Sequence, residues 1–140
     1  MLEVRDQPQG DIVNYLTAMI WGKFNPSLYG MGSFSGNKLL GGFLYGNYKE
    51  IADGKFSIEM HMAGQPGWLS RSALRQFFAY PFEYCRCSRV IGPVLRGNKH
   101  SADVTRRFGF TLDGIVRSGI APEHDLMVWT MTRDECPWLR

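Results

Sequence analysis

Lys55-Phe56-Ser57-Ile58-Glu59-Met60-His61-Met62-Ala63-Gly64-Gln65-Pro66-Gly67-Trp68-Leu69-Ser70-Arg71 runs from an alternating strand through a glycine-bearing turn into the start of a helix. Phe56, Ile58, Met60 and Met62 fall on one side of a period-two pattern, and Ser57, Glu59 and His61 on the other. One face belongs to a core and the other is open to a site. Residues 63–67 form a loop, after which Leu74, Phe77, Phe78 and Phe82 mark the apolar face of a helix over 70–84. Pro81 inside that pattern predicts a kinked last turn or an early end. A β-branched run over 88–95 then reads as a buried strand, so the stretch opens a strand–helix–strand crossover.

Working outward, residues 2–5 alternate as a short first strand. Asp11 precedes Ile12, Val13, Leu16, Met19 and Ile20 and is placed to cap a helix over 11–22, with Asn25-Pro26 ending it. Strands are expected over 28–34 and 38–48, joined to each other and to 55–62 by turns at 35–37 and 52–54. The glycines inside them, Gly30, Gly32, Gly41, Gly42 and Gly46, mark bulges, a close backbone or ligand approach, or small residues under a packed helix. Downstream, a helix over 99–108 stops at Gly109, and strands over 110–120 and 125–133 follow. The order β-α-βββ-α-β-α-ββ combines a meander with crossovers. It predicts an α+β fold on a mixed sheet, within one domain spanning residues 1–140.

Composition supports a folded domain: 44% of the 140 residues are hydrophobic and 21% charged. The apolar runs are too short to cross a bilayer and none resembles a signal peptide, so a soluble, cytoplasmic protein without a membrane partner is expected. Cys85, Cys87 and Cys136 are too few and unevenly placed for a disulfide framework. With His61, His100 and His124 scattered, no metal site is expected.

The net charge of +3 is unevenly spread. Arg71, Arg75, Arg86, Arg89, Arg96, Lys99, Arg106 and Arg107 face only Glu83 and Asp103 between positions 71 and 107, a local charge of +6 against −3 elsewhere. This basic middle covers both helices that follow glycine-bearing turns. The junction over 62–71 offers helix N-terminal amides, the positive end of a dipole, the Ser70 hydroxyl and the Arg71 guanidinium, the chemistry of a phosphate site. A solvated helix face accounts for part of the same pattern.

Asn98-Lys99-His100-Ser101, Arg107-Phe108-Gly109-Phe110, Asp113-Gly114 and Arg117 resemble the N-x-x-S…K-x-G-F…E-G-x-x-R stretch of the GCN5-related N-acetyltransferases, in particular the RimJ/RimL-like branch. The resemblance implies a mixed, mostly antiparallel sheet of six to seven strands flanked by three to four helices. It implies an acetyl-CoA cofactor and an amine acceptor, a protein among the candidates. It places the acetyl-CoA pyrophosphate at 62–71 and the cleft between a splayed strand pair over 55–62 and 88–95. Met62, Ala63, Gly67, Trp68, Leu69, Ser70, Arg71, Asn98, Ser101 and Arg106 would then contact the cofactor, with Asn98 also a helix N-cap.

Glu59 is the first choice of general base, direct or through a water, and His61 the second, since an imidazole titrates near neutral pH. The loop 65–70 departs from the family's Q/R-x-x-G-x-G/A, and Thr105 stands where many relatives carry an acidic tyrosine. These departures, with the compact N-terminus, suggest a bacteriophage-type member. Two alternatives stay open: a catalytically weakened domain of the same fold, and a nucleic-acid-binding module using the basic middle with Trp68 and Tyr84, the less favoured. The tail from Cys136 to Leu139 would pack on its own domain or on a second subunit of a homodimer.

Overall fold

The computed structural model describes residues 2–20, 28–121 and 124–140. Its elements are β1 (Leu2–Arg5), α1 (Gln9–Ile20), β2 (Tyr29–Ser35), β3 (Lys38–Ala52), β4 (Lys55–Gly64), α2 (Arg71–Ala79), β5 (Arg89–Leu95), α3 (Lys99–Phe108), β6 (Thr111–Ala121) and β7 (His124–Thr132). The strands form one seven-stranded sheet in the order β1-β2-β3-β4-β5-β7-β6. Only β4 and β5 run parallel; the other neighbours are antiparallel. The mixed α+β sheet expected from the element order is therefore present.

Register assigns the faces. Leu44 lies opposite His61 and Tyr45 opposite Met60. Leu44 belongs to a cluster with Ile12, Val13, Leu16 and Phe34 under α1. Tyr45 and Met60 join the larger cluster with Phe77 and Phe78 of α2 and Phe108 of α3. So α1 covers the face that carries Glu59 and His61, and α2 and α3 cover the other. Phe77 and Phe78 are both fully buried, and burying each is worth about 2–3 kcal/mol, which holds a nine-residue helix that propensity alone would not.

Four expected boundaries move, the first being the end of β4, which takes in Ala63 and Gly64 from the expected loop because both pair with β3. α1 begins at Gln9, with Ile12 N–H on the Pro8 carbonyl at 3.2 Å, so Asp11 lies in the first turn and is not the cap. The expected helix end at Gly22 and Asn25-Pro26 lies outside the described residues. The helix expected over 70–84 stops at Ala79 and continues as a π turn, Tyr80–Tyr84. Pro81 is the cause: it has no N–H for the Phe77 carbonyl, which instead accepts the Tyr45 hydroxyl at 2.6 Å. β3 reaches Ala52 instead of ending near position 48, passing a register irregularity between Gly46 and Lys49 where Asn47 takes φ 51°.

Candidate active site

β4 and β5 pair at Ser57–Arg89, Ile58–Val90 and Glu59–Ile91, and there the ladder stops. Both strands continue, β4 to Gly64 and β5 to Leu95. Beyond the last pair, β4 stays joined to β3 as far as Gly41–Gly64 and β5 to β7 as far as Leu95–Leu126. The two strands thus part company while each keeps its outer neighbour. Pro93 lies just past the parting. A proline inside a strand removes a ladder donor and is tolerated where a ladder has ended.

A cavity of about 140 Å3 fills the gap. Phe43, Met60, Phe108, Phe110 and Thr105 line it from the side of α2 and α3, and His61 and Ile20 from the side of α1. Next to it a hollow of about 290 Å3 runs along Met62, Ala63, Gly64, Asn98, His100 and Ser101. The opening is therefore reached from both faces of the sheet. Beyond Glu59–Ile91 no ladder pair joins 60–64 to β5.

The β4–α2 junction is anchored by an inward-turned tryptophan. Trp68 packs on Phe43 and Phe77, with ring centroids at 5.8 and 5.9 Å. A Cβ on Gly64 would sit 2.3 Å from its ring, and one on Gly41 would sit 2.8 Å from it, so these strand glycines admit the indole. Trp68 N–H donates to the Gln65 carbonyl, Ser33 Oγ donates to the Trp68 carbonyl at 2.7 Å, and Gln65 Nε2 donates to Tyr15. Gly67 takes φ +90°. Ser70 caps α2, its Oγ accepting from Ala73 N–H at 3.0 Å, and the amides of Arg71 and Ser72 stand at the positive end of the helix. Trp68, expected on the cofactor, belongs with its ring to the core and offers the junction its backbone.

At the β5–α3 junction Asn98 caps α3 by accepting from Ser101 N–H at 3.1 Å, and both residues line the opening. Thr105 is buried in the same wall, and its hydroxyl donates to the Ser101 carbonyl at 2.7 Å. That proton is committed to the helix.

Glu59 and His61 sit together at the point of parting. His61 Nε2 lies 3.4 Å from Glu59 Oε1, and Asn47 Nδ2 donates to Glu59 Oε2 at 2.7 Å. The hydrogen bond from His61 lowers the Glu59 carboxyl below its ordinary range; burial opposes this, and Asn47 adds to it. Only His61 lines the cavity. The carboxylate placed first as base is thus held by two partners beside the imidazole placed second.

Arg71 holds its guanidinium 5.8 Å from the centre of the Trp138 ring, and Arg75 donates to the Trp138 carbonyl. Trp138 Nε1 donates to the Phe108 carbonyl at 2.8 Å. The tail therefore packs on α2 and α3 of its own chain. Arg106 is exposed, paired with Asp103, and lines neither hollow. Arg107 also pairs with Asp103, and Arg96 with Asp125. Three of the eight cations of the basic middle are thus answered by acids, and Arg71 stands at the N-terminus of α2. Asn47 and Phe43 carry no site signal in the sequence, Phe110 enters only with the family motif, and Pro93 within a central-strand run marks the parting locally.

No protein-family model matches the sequence, and no curated protein matches it. Solved structures do. A ribosomal-protein-S5-alanine acetyltransferase from Vibrio fischeri superimposes with TM-score 0.71 at 15% identity, covering 96% of this chain and 94% of that one. The spermidine N-acetyltransferase SpeG from Vibrio cholerae, as its N152L mutant, gives 0.72 at 13%, covering 99% and 96%. A yncA structure from Salmonella typhimurium, a putative acetyltransferase with its cofactor acetyl-CoA, gives 0.66 at 13%, covering 97% and 96%. The chain has the fold of the GCN5-related N-acetyltransferases.

Proposed function

We propose that the chain is an acetyl-CoA-dependent N-acetyltransferase acting on a primary amine: a protein N-terminus, a lysine or a small-molecule amine. The parting of β4 from β5 beyond Glu59–Ile91 carries this reading. It offers an unladdered strand edge over 60–64 for the amides of a pantetheine arm, between apolar walls of Phe43, Phe108 and Phe110. The backbone of Met62 and Ala63, the turn from Gly67 through Trp68 and Leu69, the Ser70-capped helix terminus and Arg71 fit the arm and its phosphates. Asn98 and Ser101 fit the opposite wall.

Acetyl-CoA supplies a thioester as acyl donor. His61, at the cavity, takes the proton that the ammonium must lose before its nitrogen bonds to the acetyl carbon. Glu59 orients the imidazole and balances the charge it gains. As the carbon–sulfur bond breaks, the nitrogen gives up its second proton through water to the departing thiolate, because the Thr105 hydroxyl is committed to Ser101.

Acetyl-CoA at a hundredfold over Kd should stabilise the fold by about 2.7 kcal/mol, a melting shift of roughly 8–10 °C. No shift overturns the reading. With an amine panel, thiol release should fall about 10²-fold or more in His61→Ala, while the acetyl-CoA melting shift persists. The Thr105 hydrogen bond favours a second reading, a cofactor-binding domain with little turnover; a full melting shift without thiol release would select it.

A further inference from the structure

On the α2 face, away from the parted strands, three tyrosines form a stack along an open groove. Tyr29 and Tyr80 lie with ring centres 4.6 Å apart at 28°, and Tyr80 and Tyr84 at 5.6 Å and 18°. Tyr84 stays 80% exposed while stacked, so one ring face meets solvent. The groove, about 780 Å3, is also lined by Met31, Asp6 and Glu83. Asp6 Oδ2 accepts the Tyr29 hydroxyl at 2.8 Å, which fixes that ring. In a chain of net charge +3, the charged residues lining this groove, among those described, are both carboxylates. The electron-rich faces of the rings attract cations and the carboxylates add to the same sign of field. Burial pushes the Tyr29 and Tyr80 phenols upward, so both rings stay neutral across ordinary pH.

Three features build this groove. Pro81 turns the end of α2 into the π turn that carries Tyr80, Glu83 and Tyr84. Tyr45, bound to the Phe77 carbonyl that Pro81 leaves open, packs edge-on against Tyr80 at 4.8 Å. β2 brings Tyr29 from the opposite side. We propose that this tyrosine groove is a binding site for a small organic cation, an alkylammonium or guanidinium group held over the stacked rings beside Asp6 and Glu83. The site is separate from the candidate active site, and its occupancy does not depend on acetyl transfer.

The test is titration of the whole protein with choline, followed by NMR of the tyrosine ring resonances, against its neutral isostere 3,3-dimethylbutan-1-ol. Choline should saturate in the millimolar range, with the Tyr29, Tyr80 and Tyr84 signals moving, and the isostere should bind about tenfold more weakly. Tyr84→Leu and Glu83→Gln, at exposed positions, should each weaken choline about threefold or more. Equal binding of choline and isostere, shifts that do not saturate, or unchanged affinity in both variants would overturn the site. Acetyl-CoA melting shifts in the same variants should match the parent; an altered shift in both would overturn the separation of the two sites.

Discussion

The β4–β5 pair behaves differently at its two ends. At the lower end Ile58 and Val90 are buried and laddered, and the strands are continuous with the rest of the sheet. At the upper end the same strands carry Met60, Met62 and Pro93, have no ladder between them, and finish at two capped helix N-termini. The strands do not fray there, because β3 and β7 still hold them. An opening can therefore be a fixed part of a sheet when each bank is secured from behind. On the β4 bank that security is Trp68; on the β5 bank it is the Asn98 cap.

The largest test strikes the β4 bank. Trp68→Ala leaves Gly41 and Gly64 facing empty space and removes contacts with Phe43 and Phe77. A loss of about 3–4 kcal/mol is expected from such a truncation, which thermal unfolding would read as roughly 10 °C. Acetyl-CoA should also stabilise this variant less than the parent, because the turn proposed for the phosphates packs on the indole. A loss under about 1 kcal/mol would show that the bank stands without its anchor.

On the β5 bank the expected effect is smaller. Asn98→Ala removes one accepting group from α3 and should cost about 1 kcal/mol, or roughly 3–4 °C. Asn98→Asp keeps the acceptor and should restore most of the stability. If Asp fails to restore it, capping is not what Asn98 contributes there.

The order of elements, the two faces of β4 and the Asn98 cap were legible in the sequence, because periodicity and N-cap chemistry are local, whereas Asp11, read as a cap, lies inside the first turn of α1 and the Ser70 cap was not read. The parting of β4 from β5 was legible only through the family resemblance, which implies a splayed pair over 55–62 and 88–95, and not from the residues themselves. Period two says which way Glu59 and Met60 point, but not which neighbour each strand edge meets. Pro93 was the local hint, hidden inside a β-branched run. Gly41 could equally have meant a bulge, a close approach or a packed neighbour, and only the position of Trp68 decides for the last. Charge was half legible: the basic middle is real, and the pairing of Asp103 with Arg106 and Arg107 follows from helical spacing, but Asp125 comes beside Arg96 only in the folded sheet. The pairing of Glu59 with Asn47 depends on the β3 irregularity and left no mark in the pattern.

The smallest effect tests the point where the two ends meet. Glu59 belongs to the last laddered pair, and its carboxyl is lowered by the hydrogen bond from His61, with burial opposing and Asn47 helping. A carboxyl whose folded-state pKa lies below its unfolded value of about 4.3 takes up its proton less readily in the folded protein. Its contribution to stability is therefore complete above that unfolded value and is lost as pH falls through the lowered folded one. Glu59→Gln should thus cost about 0.5–1 kcal/mol at pH 7, with the gap between parent and variant narrowing on the acid side of pH 4. Denaturant unfolding at pH 7, 5, 4 and 3 would read it. A gap that stays constant to pH 3 would mean that the carboxylate is not bound in the folded state as the His61 and Asn47 distances indicate. A gap that closes, together with thiol release that falls in Glu59→Gln but less than in His61→Ala, would fit a residue that orients the imidazole from the laddered end while the imidazole works in the opening.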